Sequence, residues 1–75
     1  MTTADIVLDR ALALAASDMD TEDAISELNK SSGGRRVAVV MARRHLAESS
    51  NGGTDERTGR AAMLLDELLV RLSDV

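Results

Sequence analysis

Asp55-Glu-Arg-Thr-Gly-Arg60-Ala-Ala-Met-Leu-Leu65-Asp-Glu-Leu-Leu-Val70-Arg-Leu-Ser-Asp-Val75 carries the clearest periodicity in the chain. Ala61, Leu65, Leu68, Leu72 and Val75 recur at alternating spacings of four and three, which at 100° per residue is one face of an α-helix. Leu64 and Leu69 widen that face. Thr54 stands where a cap is needed, and Asp55 and Glu56 fall in the first turn, where negative charge meets the positive end of the helix dipole. The spacing predicts a helix over Asp55–Ser73. Met63 and Val70, seven residues apart, share the opposite side, an awkward position for a helix that buries one face only.

Glycine divides the rest of the chain. Gly33-Gly34 and Gly52-Gly53 sit in Ser/Asn/Gly clusters that read as loops, and the first block divides again near Ser17 to Asp20. The absence of proline and the abundance of Ala, Leu, Glu and Arg favour helix throughout. A first helix is expected over Thr3–Ala16, with Thr2 and Asp5 spaced for a capping box and Val7, Leu8, Ala11, Leu12, Leu14 and Ala15 on one broad face. A second, short helix over Thr21–Lys30 has Asp20 or Thr21 as cap, Glu22 and Asp23 at its positive end and Lys30 at its negative end. Only Ala24, Ile25 and Leu28 form its apolar stripe.

The third block, Arg35–Glu48, contains β-branched Val37, Val39 and Val40, which would suit a strand. No second strand exists for it to pair with, so helix is the expected state. Its apolar residues lie nearly all round, with Val39, Ala42 and Leu46 on one side and Val37 and Met41 on another. Such a helix is expected to be sandwiched between neighbours. The fold class expected is all-α: a small four-helix domain, orthogonal or bundle-like, spanning residues 1–75.

Composition narrows the function. There is no cysteine and one histidine, His45, so neither a disulfide framework nor a Cys/His metal site is expected, and no cofactor. No apolar run approaches the ~18 residues of a membrane span, and the basic and apolar regions of a secretion signal are missing, so the expected setting is cytoplasmic. Eight arginines against one lysine hint at a GC-rich bacterial genome. The carboxylates are plentiful, but short alanine-rich helices offer little of the concavity that moves carboxylate pKa values apart, and a non-enzymatic protein is expected. An acyl carrier role is set aside because the segment after the first helix reads Asp18-Met19-Asp20-Thr21, without the attachment serine.

A third of the 44% hydrophobic residues are alanine and none is aromatic. The large rings that usually anchor a small core are missing, and scaffolds in this position commonly gain burial by associating. The expected partner is therefore a second copy, a homodimer whose interface uses Met63, Leu65, Leu68, Leu69, Val70 and Leu72. The plainer alternative makes the leucine stripe the fourth wall of a monomeric core. Another protein partner is a further reading.

Charge is unevenly spread. Residues 1–34 carry a net −5, residues 35–48 a net +3 and residues 49–75 a net −2, for −4 in all. Arg35, Arg36, Arg43 and Arg44 in the basic segment either pair with the acidic first half (Asp18, Asp20, Glu22, Asp23) or form a solvated face that keeps the helix soluble, as surface charge runs usually do, or contact an anion or RNA backbone. Ser31-Ser32-Gly33-Gly34-Arg35-Arg36 combines flexible backbone with cations, a composition suited to an anion pocket, although Gly-Gly after a helix is first a turn.

Residues 9–28, Asp-Arg-Ala-Leu-Ala-Leu-Ala-Ala-Ser-Asp-Met-Asp-Thr-Glu-Asp-Ala-Ile-Ser-Glu-Leu, resemble the first helix-turn-helix of ANTAR domains, three-helix RNA-binding antiterminator modules of bacterial regulators. Arg10 and Ala11 fall where that family has Lys and Gly, and Leu12 and Leu14 where it has Met. Met19 and Asp20 match its turn, and Ala24, Ile25 and Leu28 match its Ala, aromatic and Leu. Val39 and Ala42 take the next two apolar positions. The resemblance covers residues 6–46 and leaves the last helix unaccounted for. It implies RNA contact through Arg10 and the arginines of the third helix, in a dimer.

Overall fold

The computed structural model describes residues 2–50 and 56–73, with backbone only for Ser49 and Ser50. Four helices follow in chain order: α1 (Thr3–Ala15), α2 (Thr21–Ser32), α3 (Arg36–Ser50) and α4 (Glu56–Ser73). No strand occurs among the described residues. The all-α class is as expected, whereas Thr54, Asp55 and Val75, singled out in the sequence, lie outside the described residues. No helix among those described is long and apolar enough to cross a membrane.

Local chemistry explains the ends. Thr2 and Asp5 form the expected capping box, the Thr2 hydroxyl accepting from the Asp5 amide at 3.2 Å and the Asp5 carboxylate from the Thr2 amide at 3.3 Å. Asp20 stands at the cap of α2 in extended conformation, but its carboxylate takes no amide. That helix runs two residues past the expected Lys30, until Gly33 enters the left-handed region at φ 63°. The Gly33 amide donates to Lys30 O and the Gly34 amide to Asn29 O, a Schellman closure that L residues enter only with strain. Ser31 and Ser32 are therefore helical, and their hydroxyls donate to Glu27 O and Asn29 O.

Four apolar stripes meet in one interior. Val7, Ala11 and Leu14 of α1, Ala24, Ile25 and Leu28 of α2, Ala38, Val39, Ala42 and Leu46 of α3, and Ala61, Leu64, Leu65 and Leu68 of α4 are all buried. Packing is closest between α1 and its three neighbours and between α3 and α4, whereas α2 and α3 barely meet. The expectation that α3 is sandwiched is overturned. Only its Ala38–Leu46 side is covered, and Val37, Val40 and Met41 face outward. The radius of gyration is 11.1 Å, close to the roughly 11 Å that size scaling gives a folded chain this long.

One feature has no local signal in the sequence. The last turn of α1 holds no basic residue, so its carbonyls lack the usual cationic complement. That complement comes from α4 instead. Arg57 Nε donates to Leu12 O at 3.1 Å, and Arg60 donates to Ser17 O at 3.0 Å and Met19 O at 2.7 Å. Arg60 thus fixes the α1–α2 turn to the start of α4. Arg60→Met keeps much of the apolar stem and removes both bonds; it should cost about 1–3 kcal/mol, read as a lower midpoint in urea with an unchanged slope.

Candidate interaction surface

The surface is built on α3 and α4. These two helices pack against each other. Arg43 Nε donates to Asp66 Oδ1 at 2.9 Å, fixing the level at which the two helices meet. With Ala38, Val39, Ala42 and Leu46 turned inward, the outward arc of α3 holds Val37, Val40, Met41, Arg44 and Glu48. With Ala61, Leu64, Leu65 and Leu68 turned inward, the outward arc of α4 holds Gly59, Met63, Asp66 and Val70, with Glu67 beside it.

Large aliphatic side chains are bare on both arcs: Val37 is 75%, Val70 61% and Met63 45% exposed. Among the described residues, five of the seven exposed large hydrophobic side chains belong to these two helices, and the other two are Ile6 and Met19. Isolated apolar residues on a surface are ordinary; these fall on two helices that pack against each other.

The expected interface is divided by this geometry. Leu65 at 0% and Leu68 at 1% exposure belong to the chain's own interior, and Leu69 and Leu72 are partly buried against it. Placing Leu65 and Leu68 on an outer seam is corrected: α1, α2 and α3 already cover that side of α4. Met63 and Val70 remain outside. A periodic leucine stripe looks the same in sequence whether its partners are in the same chain or another.

The arginines also separate. Arg43 is held by Asp66, and Arg44 lies 3.7 Å from Glu48 within α3, both well exposed. Arg35 and Arg36 are exposed and make no ion pair among the described residues. The expected pairing with Asp18, Asp20, Glu22 and Asp23 is not what Arg43 and Arg44 do. An anion pocket at residues 31–36 is also modified, because the amides of Gly33, Gly34 and Arg35 donate to carbonyls of Lys30, Asn29 and Ser32. Arg10, the contact implied by the ANTAR resemblance, lies 3.4 Å from Glu27.

The arginines of α4 all reach the other way. Arg57 and Arg60 go to the α1 end, and Arg71 Nη2 donates to Glu22 Oε1 at 2.6 Å. What stays outside on α4 is acidic. The hydrogen bond from Arg71, followed by its charge, holds the Glu22 carboxyl below the usual range. The Thr2 amide, donating to the Asp5 carboxylate, and then the Thr2 side chain do the same for Asp5, with His45, 3.9 Å away, adding a smaller effect.

Two shallow clefts lie elsewhere on the molecule. One of about 400 Å³ lies between α2 and α4 and is lined by Ile25, Ser26, Leu68 and Leu72, with the Glu22–Arg71 pair on its wall. The other, of about 560 Å³, opens beside Ile6, Arg10 and Ser31. No group of three His, Cys, Asp or Glu side chains among the described residues is placed to hold a metal ion. Comparison with protein-family models, curated proteins and solved structures finds nothing that matches this chain.

Lowered carboxyl pKa values set a direction for stability against pH. A carboxylate whose folded-state pKa lies below its unfolded value stabilises the fold above the unfolded value, and the contribution is lost as pH falls through the folded one. Thermal melts should therefore fall in midpoint as pH drops from about 5, and Glu22→Gln should make that decline shallower. An equal or steeper decline in the variant would contradict the assignment.

Proposed function

We propose that this chain is a non-catalytic helical interaction module that self-associates through the outward side of its α3–α4 pair, Met63 and Val70 of α4 being the central contacts. One observation carries this reading. Once the interior is closed by Leu64, Leu65 and Leu68, unneeded aliphatic side chains remain bare on two neighbouring helices. Burying one large aliphatic side chain is worth roughly 1.5–3 kcal/mol, so each of Val37, Met63 and Val70 offers association energy that folding has left unused. The original ground for expecting a dimer, an interior too thin to close alone, is not what supports it: one chain fills its own interior.

A second reading is favoured by a specific observation, the absence of ion-pair partners for Arg35 and Arg36 among the described residues. They would contact the backbone of an RNA, as the ANTAR resemblance implies, with Arg44 beside them. Against it, Arg10 and Arg43 stand beside carboxylates, and the net charge of −4 repels a polyanion at long range.

Sedimentation equilibrium on the intact chain separates the leading reading from a plain monomer. The Met63→Glu, Val70→Glu double variant should stay folded, with a melting midpoint near the parent's, and lose the dimer. Leu68→Glu should unfold, because a carboxylate cannot be buried unpaired in that interior. A parent chain that remains at 8.0 kDa at every concentration removes the proposal.

A further inference from the structure

Methionine is where this chain is open to oxidation. The sequence has no cysteine, tryptophan or tyrosine, so its four methionines carry all of its sulfur and are the side chains that peroxide attacks most readily. Methionine ordinarily fills gaps in an interior, where its unbranched thioether adapts to irregular space. Here leucine, valine, isoleucine and alanine fill the interior, and no buried side chain among the described residues is a methionine. Met19 is 37%, Met41 38% and Met63 45% exposed. Two of these three lie on the face proposed above for self-association, Met41 on the outward arc of α3 and Met63 on that of α4. Met19 stands apart from them, between α1 and α2.

Resting on that self-association reading, we infer that Met63, with Met41, is a site of reversible oxidation to the sulfoxide, and that this modification dissolves the dimer while leaving the fold intact. The oxidant is a hydroperoxide, hydrogen peroxide being the simplest. The thioether sulfur gives a lone pair to one peroxide oxygen, and the S–O bond forms as the O–O bond breaks. The proton on that oxygen passes to the departing hydroxide, which leaves as water. Sulfur loses two electrons and the peroxide gains them. An apolar side chain thereby becomes a polar one with an acceptor oxygen.

The two states of association respond differently. In the single chain the new oxygen is hydrated, and Leu64, Leu65 and Leu68 keep the interior closed. Against a second apolar face the same oxygen is stripped of water, which opposes association. Oxidation proceeds through the free chain, because a formed dimer covers both sulfurs. Association therefore protects Met41 and Met63 and leaves Met19 as an internal reference. The chain has no thiol of its own, so reversal requires an external thiol-dependent sulfoxide reductase.

The test exposes the intact chain to excess hydrogen peroxide at protein concentrations of about 1 and 500 µM. Trypsin places Met19, Met41 and Met63 on separate fragments, residues 11–30, 37–43 and 61–71, so mass spectrometry follows each one. At the higher concentration Met41 and Met63 should oxidise several-fold more slowly, whereas Met19 keeps one rate. In sedimentation equilibrium the oxidised dimer should be weaker by about tenfold or more. Its melting midpoint should stay near the parent's, and association should return after reduction with both sulfoxide reductases and dithiothreitol. The Met41→Leu, Met63→Leu double variant keeps an apolar face and should dimerise with or without peroxide. A dimer that persists with Met41 and Met63 fully converted overturns the inference while self-association stands. Rates that ignore concentration in a chain that dimerises, or a double variant that still dissociates in peroxide, do the same. An oxidised chain that unfolds overturns it as well, because the interior was then not spared. A parent that is monomeric before peroxide is added overturns the self-association reading itself, and the inference with it.

Discussion

Leu64, Leu65 and Leu68 are the residues on which the other three helices close. With no aromatic ring to span the interior, the chain fills it with aliphatic side chains and brings its helices near one another through small ones. Alanines 4, 11, 15, 24, 38, 42 and 61 are buried. An alanine at a helix contact contributes little transfer energy itself, but it lets a facing leucine approach the backbone and complete its contacts. The leucines of α4 are the facing side chains, and α4 packs against each of α1, α2 and α3. Removing this helix would leave α2 in particular with little cover, since it hardly touches α3.

The same helix supplies polar closure. Its inward edge sends Arg57 and Arg60 to the carbonyls around the end of α1, and Arg71 to Glu22 at the start of α2. These long side chains do for the α1–α2 turn what a local cap does elsewhere. Their commitment has a consequence on the far side of α4, where the only charges left are carboxylates. Interior packing and surface charge are thus coupled through one helix: the arginines that secure the turn are withdrawn from the outer face and leave it acidic.

Sequence reading succeeds here where a feature is local. The Thr2–Asp5 box, the Gly33 stop and the α4 stripe each depend on residues within one or two turns, and each appears close to its expected place. The class of fold follows from such features because helices need only local hydrogen bonds. It fails where a feature depends on what arrives from elsewhere in the chain. Arg60 lies 41 residues from Met19, whose carbonyl it binds, and no spacing rule connects them. Val37 and Val39 are alike in chemistry and two positions apart, yet one is bare and the other wholly buried, because α1 and α4 flank only one side of α3. The leucine stripe of α4 marks a covered face, but periodicity does not say whose atoms cover it.

That last ambiguity turns on what a hydrophobic stripe can encode. A helix in a small domain needs one covered arc, and an apolar side chain on the opposite arc adds nothing to the interior while costing solubility. Met63 and Val70 occupy that opposite arc on α4, and Val37 and Val40 do so on α3. A polar residue at any of these positions would have served the lone fold as well or better. The aliphatic character of this face is the ground on which the self-association proposed above rests.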